Sequence, residues 1–280
     1  MISGLFAFLA DAMRIQLNET WTEIPPGTRL FELRAQFKAD ADVVIRNGFP
    51  ANTDQSLVEG DCIVLIRRGE QPTAAELEAL MVARHTPGVH QKLKSASVGI
   101  AGVGGLGSAV AVALARTGVG RLIIADFDLV EPSNLNRQQY FVDQLGLPKV
   151  TALQQNLARI NPYVQIIPWH LRLSAENIPE LFAEVDVMVE AFDGADQKAM
   201  LAAAFLGGCP GKPLVAASGL AGFGPSNNIT TRTVGRNFYL VGDLESAARP
   251  GEGLMAPRVG IAAHHQANAV LRLLLGETPA

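Results

Sequence analysis

Val98-Gly-Ile-Ala101 runs without a break into Gly102-Val-Gly104-Gly105-Leu-Gly107-Ser108, and Arg121-Leu-Ile-Ile-Ala-Asp126 follows one helix-length stretch later. The first four residues read as a buried strand, and the small residues of Gly107–Thr117 as a helix. Three glycines fit G-x-G-x-x-G at the point where strand hands over to helix. The first permits a tight turn, the second lets phosphate approach the backbone, and the third lets helix and strand pack closely. Free N–H groups at the helix N-terminus then face the phosphates. Asp126 closes the second strand about 20 residues further on, where a carboxylate accepts both ribose hydroxyls. The spacing therefore predicts a nucleotide site on a parallel sheet.

Outward from this turn, strands and helices alternate to the end of the chain. Strands are expected at Val164–Trp169, Val185–Glu190, Leu214–Ser218, Ile229–Thr233 and Phe238–Val241. Helices are expected at Lys149–Ile160, around Glu176–Phe182 and Ala195–Phe205, and at Val259–Leu275. Such alternation is the signature of a doubly wound α/β sheet.

Residues 13–69 have a different texture. Met13–Leu17 alternates, Trp21–Ile24 returns, and Pro25-Pro26-Gly27 breaks the chain. Thr28 can cap a helix carrying Leu30, Leu33 and Phe37 on one face. Val43–Ile45 ends at the turn pair Asn47-Gly48, and Glu59-Gly60-Asp61 leads to a last strand, Cys62–Ile66. Strand, strand, helix, strand, strand in so short a segment predicts a small α+β unit. Thr73-Ala-Ala-Glu76 is a capping box that opens a further helix. The expected organisation is an N-terminal extension (1–12), the small unit (13–69), a linking helix and arm (70–96), and the nucleotide-binding domain (97–280).

Composition narrows the function. Of 280 residues, 48% are hydrophobic and 18% charged, with a net charge of −4, so the chain is neither disordered nor a polyelectrolyte. No basic stripe points to nucleic acid, and no apolar run reaches the length of a membrane span. Two cysteines, Cys62 and Cys209, are too few for a disulfide framework or a zinc site built from Cys pairs. A reducing cytoplasm fits. The apolar start MISGLFAFLADA lacks a basic residue before its apolar part and reads as an extension ahead of Met13 rather than a signal peptide.

The glycine turn alone would also suit NAD and an oxidoreductase. The stretch after Asp126 argues for a triphosphate instead. Asp128, Asn134, Arg137 and Gln138 follow within one loop, and Lys149 opens the next helix. Arg137 supplies a planar fork and Lys149 a point charge for phosphate oxygens. Each could also lie on a solvated face.

Four phrases, GVGGLGS, DFDLVEPSNLNRQ, LPKV and AFDGADQK, resemble in order and spacing the ThiF/MoeB group of the ubiquitin-activating superfamily. RHTPG, SGLAGFGPSNNI and GLMAPRV are similar to its ThiF branch. LNE, RNGFP and VEGDCIVLIRRG resemble the β-grasp sulfur carriers of the ThiS type. The resemblance implies an adenylyltransferase that activates the C-terminal carboxylate of a ThiS-like sulfur carrier with Mg²⁺ and ATP. It implies nucleotide contacts at Gly102, Gly104, Gly105, Gly107, Asp126, Asn134 and Gln138, and catalytic contacts at Arg137, Lys149 and Asp193. Asp193 would help hold Mg²⁺, with Asp128 either sharing the metal or capping a turn. Arg84 matches, more loosely, an arginine that reaches the ATP of the other subunit in a homodimer.

No zinc is expected, and sulfur would come from a separate persulfide donor. Alternative readings are the same chemistry on a molybdopterin carrier or a tRNA-linked carboxylate, an NAD-dependent enzyme, and a binding module whose β-grasp unit serves docking alone. Cys209 reads as inert packing. His264 and His265 are adjacent, point to different faces, and make a poor metal pair. His85 and His90 flank a turn and could approach the nucleotide.

Overall fold

A computed structural model describes residues 12–279 apart from Glu19, Gln71 and Pro87. The apolar extension, residues 1–11, lies outside the described residues. The chain divides into two units, Met1–His90 and Gln91–Ala280.

The first unit contains β1 (Met13–Leu17), β2 (Thr20–Ile24), α1 (Leu30–Phe37), β3 (Val43–Arg46), β4 (Phe49–Pro50), β5 (Cys62–Ile66) and α2 (Ala74–Val82). Its sheet has the order β2-β1-β5-β3-β4, with β1 and β5 parallel at the centre. Alternation in β1 and β5 sends Ile15, Leu17, Ile63 and Leu65 to one face, where Leu30 and Leu33 of α1 complete a core. The opposite face presents Ile45, Val64 and Ile66, covered by Ala79 and Leu80 of α2. Thr73 and Glu76 cap α2 reciprocally, at 3.2 and 2.9 Å. This is the β-grasp arrangement.

Two local expectations need correction, and a third is extended. Thr28 does not cap α1, because its hydroxyl donates to Pro25 O at 2.7 Å and Glu32 instead accepts the Arg29 N–H at 2.9 Å. Phe37, the last residue of α1, is exposed and takes no part in the core that Leu30 and Leu33 complete. Asn47 and Gly48, both at positive φ, do more than end β3: they form a two-residue hairpin into the short strand β4.

After α3 (Val89–Ser95), the second unit runs β6 (Ser97–Ala101), α4 (Gly105–Arg116), β7 (Arg121–Asp126), α5 (Lys149–Ile160), β8 (Gln165–His170), α6 (Ile178–Leu181), β9 (Val187–Glu190), α7 (Ala195–Gly208), β10 (Leu214–Ala217), β11 (Thr230–Gly235), β12 (Phe238–Gly242) and α8 (Ala256–Leu275). The sheet order is β11-β12-β10-β9-β6-β7-β8. All neighbours are parallel except β11, an antiparallel edge. The central strands are buried along their whole length and apolar except for Ser97 of β6 and Glu190 of β9, as burial on both faces favours. Phe182, Leu201 and Phe205 of the α6–α7 region pack with Ile123, Ala125 and Met188 in one core cluster. α4 packs against α5 and α8.

Successive strands depart from β6 in opposite directions, to β7 on one side and β9 on the other. A crevice opens where they diverge, at the carboxyl ends of the strands. Helix limits differ modestly from expectation. α4 starts at Gly105, α7 reaches Gly208, α8 starts at Ala256, and α6 is a single turn. Among the described residues, no helix is long and apolar enough to cross a membrane.

Candidate active site

The crevice at the β6/β9 divergence is a cleft of about 780 Å³. Its floor is the glycine turn. Gly102 takes φ +82°, and a Cβ there would lie 2.9 Å from Ala191 O at the end of β9. A Cβ at Gly107 would lie 1.9 Å from Gly102 O, so only glycine lets α4 sit this close to β6. Tyr140 holds the turn from below, its hydroxyl donating to Val103 O at 2.7 Å; burial pushes its phenol well above the usual range. The first N–H groups of α4 have no partner within the helix and face the cleft end of the turn.

Asp126 ends β7 beside this turn, 9% exposed. One carboxylate oxygen accepts the Val103 N–H at 2.8 Å and the other the Asp128 N–H at 2.9 Å. Burial pushes its carboxyl up, against those two bonds and the nearby Lys149. Lys149, also buried, opens α5 and pairs with Asp128 Oδ2 at 2.8 Å, while its N–H donates to Asp128 O at 2.9 Å. The loop between β7 and α5 is thereby stapled at both ends.

Within that loop a single turn (Pro132–Asn134) places three further side chains. Asn134 is buried and accepts the Glu131 N–H at 3.0 Å. Arg137 donates to Ser133 O at 3.1 Å and to Asn136 Oδ1 at 2.8 Å. Gln138 is buried, and its Oε1 has no hydrogen-bond partner among the described residues. Asp193, exposed, lines the cleft from the loop between β9 and α7.

The expected residues Gly102, Gly104, Gly105, Asp126, Asn134, Arg137, Gln138, Lys149 and Asp193 thus all line one cleft, as does Asp128. Gly107 serves the helix–strand contact beneath it. Arg84, His85 and His90 belong to the first unit, Arg84 in the turn after α2. Burial pushes the His85 imidazole down, and His90 Nε2 lies 3.5 Å from Glu78. Cys209 is buried at the end of α7, its thiol pushed up by burial, and Cys62 sits in β5 of the first unit. His264 contacts its own helix at Gly260 O, and His265 meets Thr231, on different faces. Among the described residues, no group of three or more His, Cys, Asp or Glu side chains could hold a metal ion.

Two features of the cleft escape a reading of the sequence. Glu190, fully buried at the end of β9, accepts the Phe192 N–H at 2.6 Å and the Lys198 ammonium at 3.0 Å. Burial pushes its carboxyl up despite this cation. Lys198 lines the cleft from the first turn of α7 and so adds a third cation. The Arg172 guanidinium, also lining the cleft, lies 4.2 Å over the Phe127 ring. A charged residue inside an apolar strand was the available signal for Glu190. Nothing local marks Arg172.

The ThiF family model matches residues 78–280, and the model of ThiS-like ubiquitin matches residues 13–69. The chain is 35% identical over 196 residues to the sulfur carrier protein ThiS adenylyltransferase of Escherichia coli K12, covering 68% of this chain and 77% of that one. It is 34% identical over 190 residues to the molybdopterin-synthase adenylyltransferase of Salmonella typhimurium, covering 66% and 75%. It spans less of some longer relatives, among them 28% of a Xenopus laevis protein named adenylyltransferase and sulfurtransferase. In fold it is similar to the E. coli tRNA N6-threonylcarbamoyladenosine dehydratase solved with AMP, with a TM-score of 0.66 at 20% identity over 74% of this chain and 98% of that one. The chain belongs to the ThiF family, with a ThiS-like ubiquitin fold at its N-terminal end.

Proposed function

We propose that this adenylyltransferase uses ATP to activate the C-terminal carboxylate of a ThiS-like sulfur carrier as an acyl-adenylate, releasing pyrophosphate. One observation carries the reading. A buried carboxylate at the expected ribose position, Asp126, shares a single cleft with a glycine turn, four cationic side chains (Arg137, Lys149, Arg172 and Lys198) and the exposed carboxylate of Asp193. A dinucleotide pyrophosphate at a helix terminus needs no such set of charges.

In this reading Asp126 accepts the ribose hydroxyls while keeping its two backbone donors. The N-terminus of α4 faces the phosphates. Arg137, Lys149 and Asn134 contact phosphate oxygens, and Gln138 offers its unpartnered amide oxygen to a donor on the ligand. The carrier's carboxylate is already ionised near neutral pH, so no general base is required. Its oxygen bonds to the α-phosphorus as the bond from that phosphorus to the leaving pyrophosphate oxygen breaks. Catalysis is positioning plus neutralisation of charge on the leaving group, which these cations supply in a low-dielectric cleft.

Magnesium fits the donors: Asp193 offers one exposed carboxylate, and phosphate oxygens and water would complete the shell of a hard cation. Held there, it would add positive charge beside the leaving group. The enzyme would work in the cytoplasm as a homodimer, Arg84 of one subunit serving the ATP of the other, with a separate persulfide donor providing sulfur.

Carrier-stimulated ATP–pyrophosphate exchange tests this, with ThiS-like and molybdopterin-type carriers compared side by side. The wild type should exchange best with the ThiS-like carrier, and calorimetry should show binding of Mg-ATP and none of NAD. Asp193→Ala and Lys149→Ala should lower the exchange rate by about 10²–10³ in folded protein. Tight NAD binding without ATP binding would overturn the assignment, and wild-type rates in both variants would relocate the site.

A further inference from the structure

The cleft has two halves. One lies over β6, β7 and α4 and holds the glycine turn and Asp126. The other lies beyond β9, walled by residues 218–221 after β10 and 246–248 after β12. These two segments carry no charged side chain, and all of their residues except Leu220 are small.

The second wall is held together from behind. The Asp243 N–H donates to Gly219 O at 2.9 Å, and the Leu244 N–H to Ser218 O at 3.2 Å. Asp243 Oδ1 accepts the N–H groups of Glu245 and Ser246, each at 2.9 Å. Arg258, in the first turn of α8, reaches all of this from inside. Its side chain is 4% exposed. It donates to Asp243 Oδ2 at 2.5 Å, to Gly224 O at 2.7 Å and to Pro225 O at 3.0 Å. One guanidinium therefore fastens the loop after β10 and the loop after β12 to the start of α8. Arg258 does not itself line the cleft, so it is not available to a nucleotide.

We propose that Arg258 is a positioning residue for the acyl substrate: with Asp243 it clamps the small-residue wall beyond β9 into the channel that admits the carrier's C-terminal tail. The inference rests on the adenylation reading. With ribose on Asp126 and phosphates at α4, the first half of the cleft is filled by nucleotide. The attacking carboxylate must then arrive through the second half. A wall of small, neutral residues suits a tail of glycines, which has no side chains to accommodate. Loosening this wall should weaken the tail's binding and leave the nucleotide's untouched.

Exchange kinetics on the full-length chain, with a purified ThiS-like carrier, separate the outcomes. Arg258→Ala would leave the partly buried Asp243 carboxylate without its cation and endanger the fold. Arg258→Lys keeps the charge and loses the fork that reaches three acceptors. It should raise the KM for carrier about tenfold, the equivalent of one lost charge-assisted bond, with the KM for ATP within about twofold. Asp243→Asn, which keeps its turn-capping oxygen, should shift the same constant in the same direction. Hydrogen exchange in Arg258→Lys should quicken at residues 218–228 and 243–248 and not in the glycine turn. An unchanged KM for carrier, or an equal rise in both constants, would overturn the inference while a working wild type keeps the adenylation reading. A wild type that exchanges with no carrier would overturn both.

Discussion

Asp126 illustrates how tightly single residues are committed here. Both of its oxygens already accept backbone N–H groups, from Val103 and Asp128, before any ribose arrives. A carboxylate manages this because it has about four acceptor sites. An asparagine does not, because its amide nitrogen would face one of those two N–H donors. Asp126→Asn is therefore expected to lose on two counts. The stranded donor should lower stability by about 1–3 kcal/mol, and nucleotide affinity should fall at least about tenfold. Thermal unfolding and ATP calorimetry check the two separately. An Asp126→Asn variant with wild-type Tm and wild-type ATP affinity would show that the carboxylate is idle. Its place in the cleft was legible in the sequence because glycine turn, helix and carboxylate follow one another along the chain at fixed spacing. Glu190 and Lys198 were harder, since burial of a strand-end charge is decided by β10 and α8 packing around it, far away in sequence. Thr28 misled for a related reason: Pro25 O and the Glu32 carboxylate, both nearby, rearranged the start of α1.

Elements were legible wherever periodicity and punctuation coincide. β7 and α5 lie where a continuous apolar run ending in Asp126 and an amphipathic stretch stopped near Pro162 predict, because their apolar faces have no other way to be buried. The loops after β10 and β12 were not, and these wall the cleft beyond β9. Their shape depends on the Arg258–Asp243 pair, whose partners come from different elements. Burial alone would raise the Asp243 carboxyl, but the Ser246 and Glu245 N–H groups and the Arg258 guanidinium outweigh it and hold the group at about 2, below its ordinary 3.8. The sign follows. A depressed carboxyl contributes stability that is complete above its ordinary value and is lost as pH falls through its folded value. The Tm difference between wild type and Asp243→Asn should accordingly be constant near neutral pH and shrink as pH falls from 3.8 toward about 2. A difference that is independent of pH across that window would mean that the charge of Asp243 contributes nothing to the clamp.

At the scale of the whole molecule, the chain joins a carrier-like fold to the enzyme family that activates such carriers, which raises the question of whether it could modify itself. The covalent structure argues against this. A carrier is adenylated at a free C-terminal carboxylate on a thin glycine tail. In the N-terminal unit the last strand, β5, continues through Arg67-Arg68-Gly69-Glu70 into α2. No Gly-Gly pair and no carboxyl terminus stands at that point. The exit from the strand is also tied down. Arg67 pairs with Asp40 at 2.8 Å, Lys38 with Glu70 at 3.3 Å, and α2 covers the outer face of the sheet. Freeing enough chain to reach an α-phosphate would mean peeling α2 from Ile45, Val64 and Ile66 and exposing that apolar face to water. The full-length protein, incubated with Mg-ATP and labelled in the adenine ring, should therefore acquire no covalent adenylate without an added carrier. With a carrier present, label should appear on the carrier alone, as an adduct released by hydroxylamine. Covalent label on residues 13–69 of the chain itself would show that this unit is a substrate after all, and that its resemblance to the carriers extends from fold to chemistry.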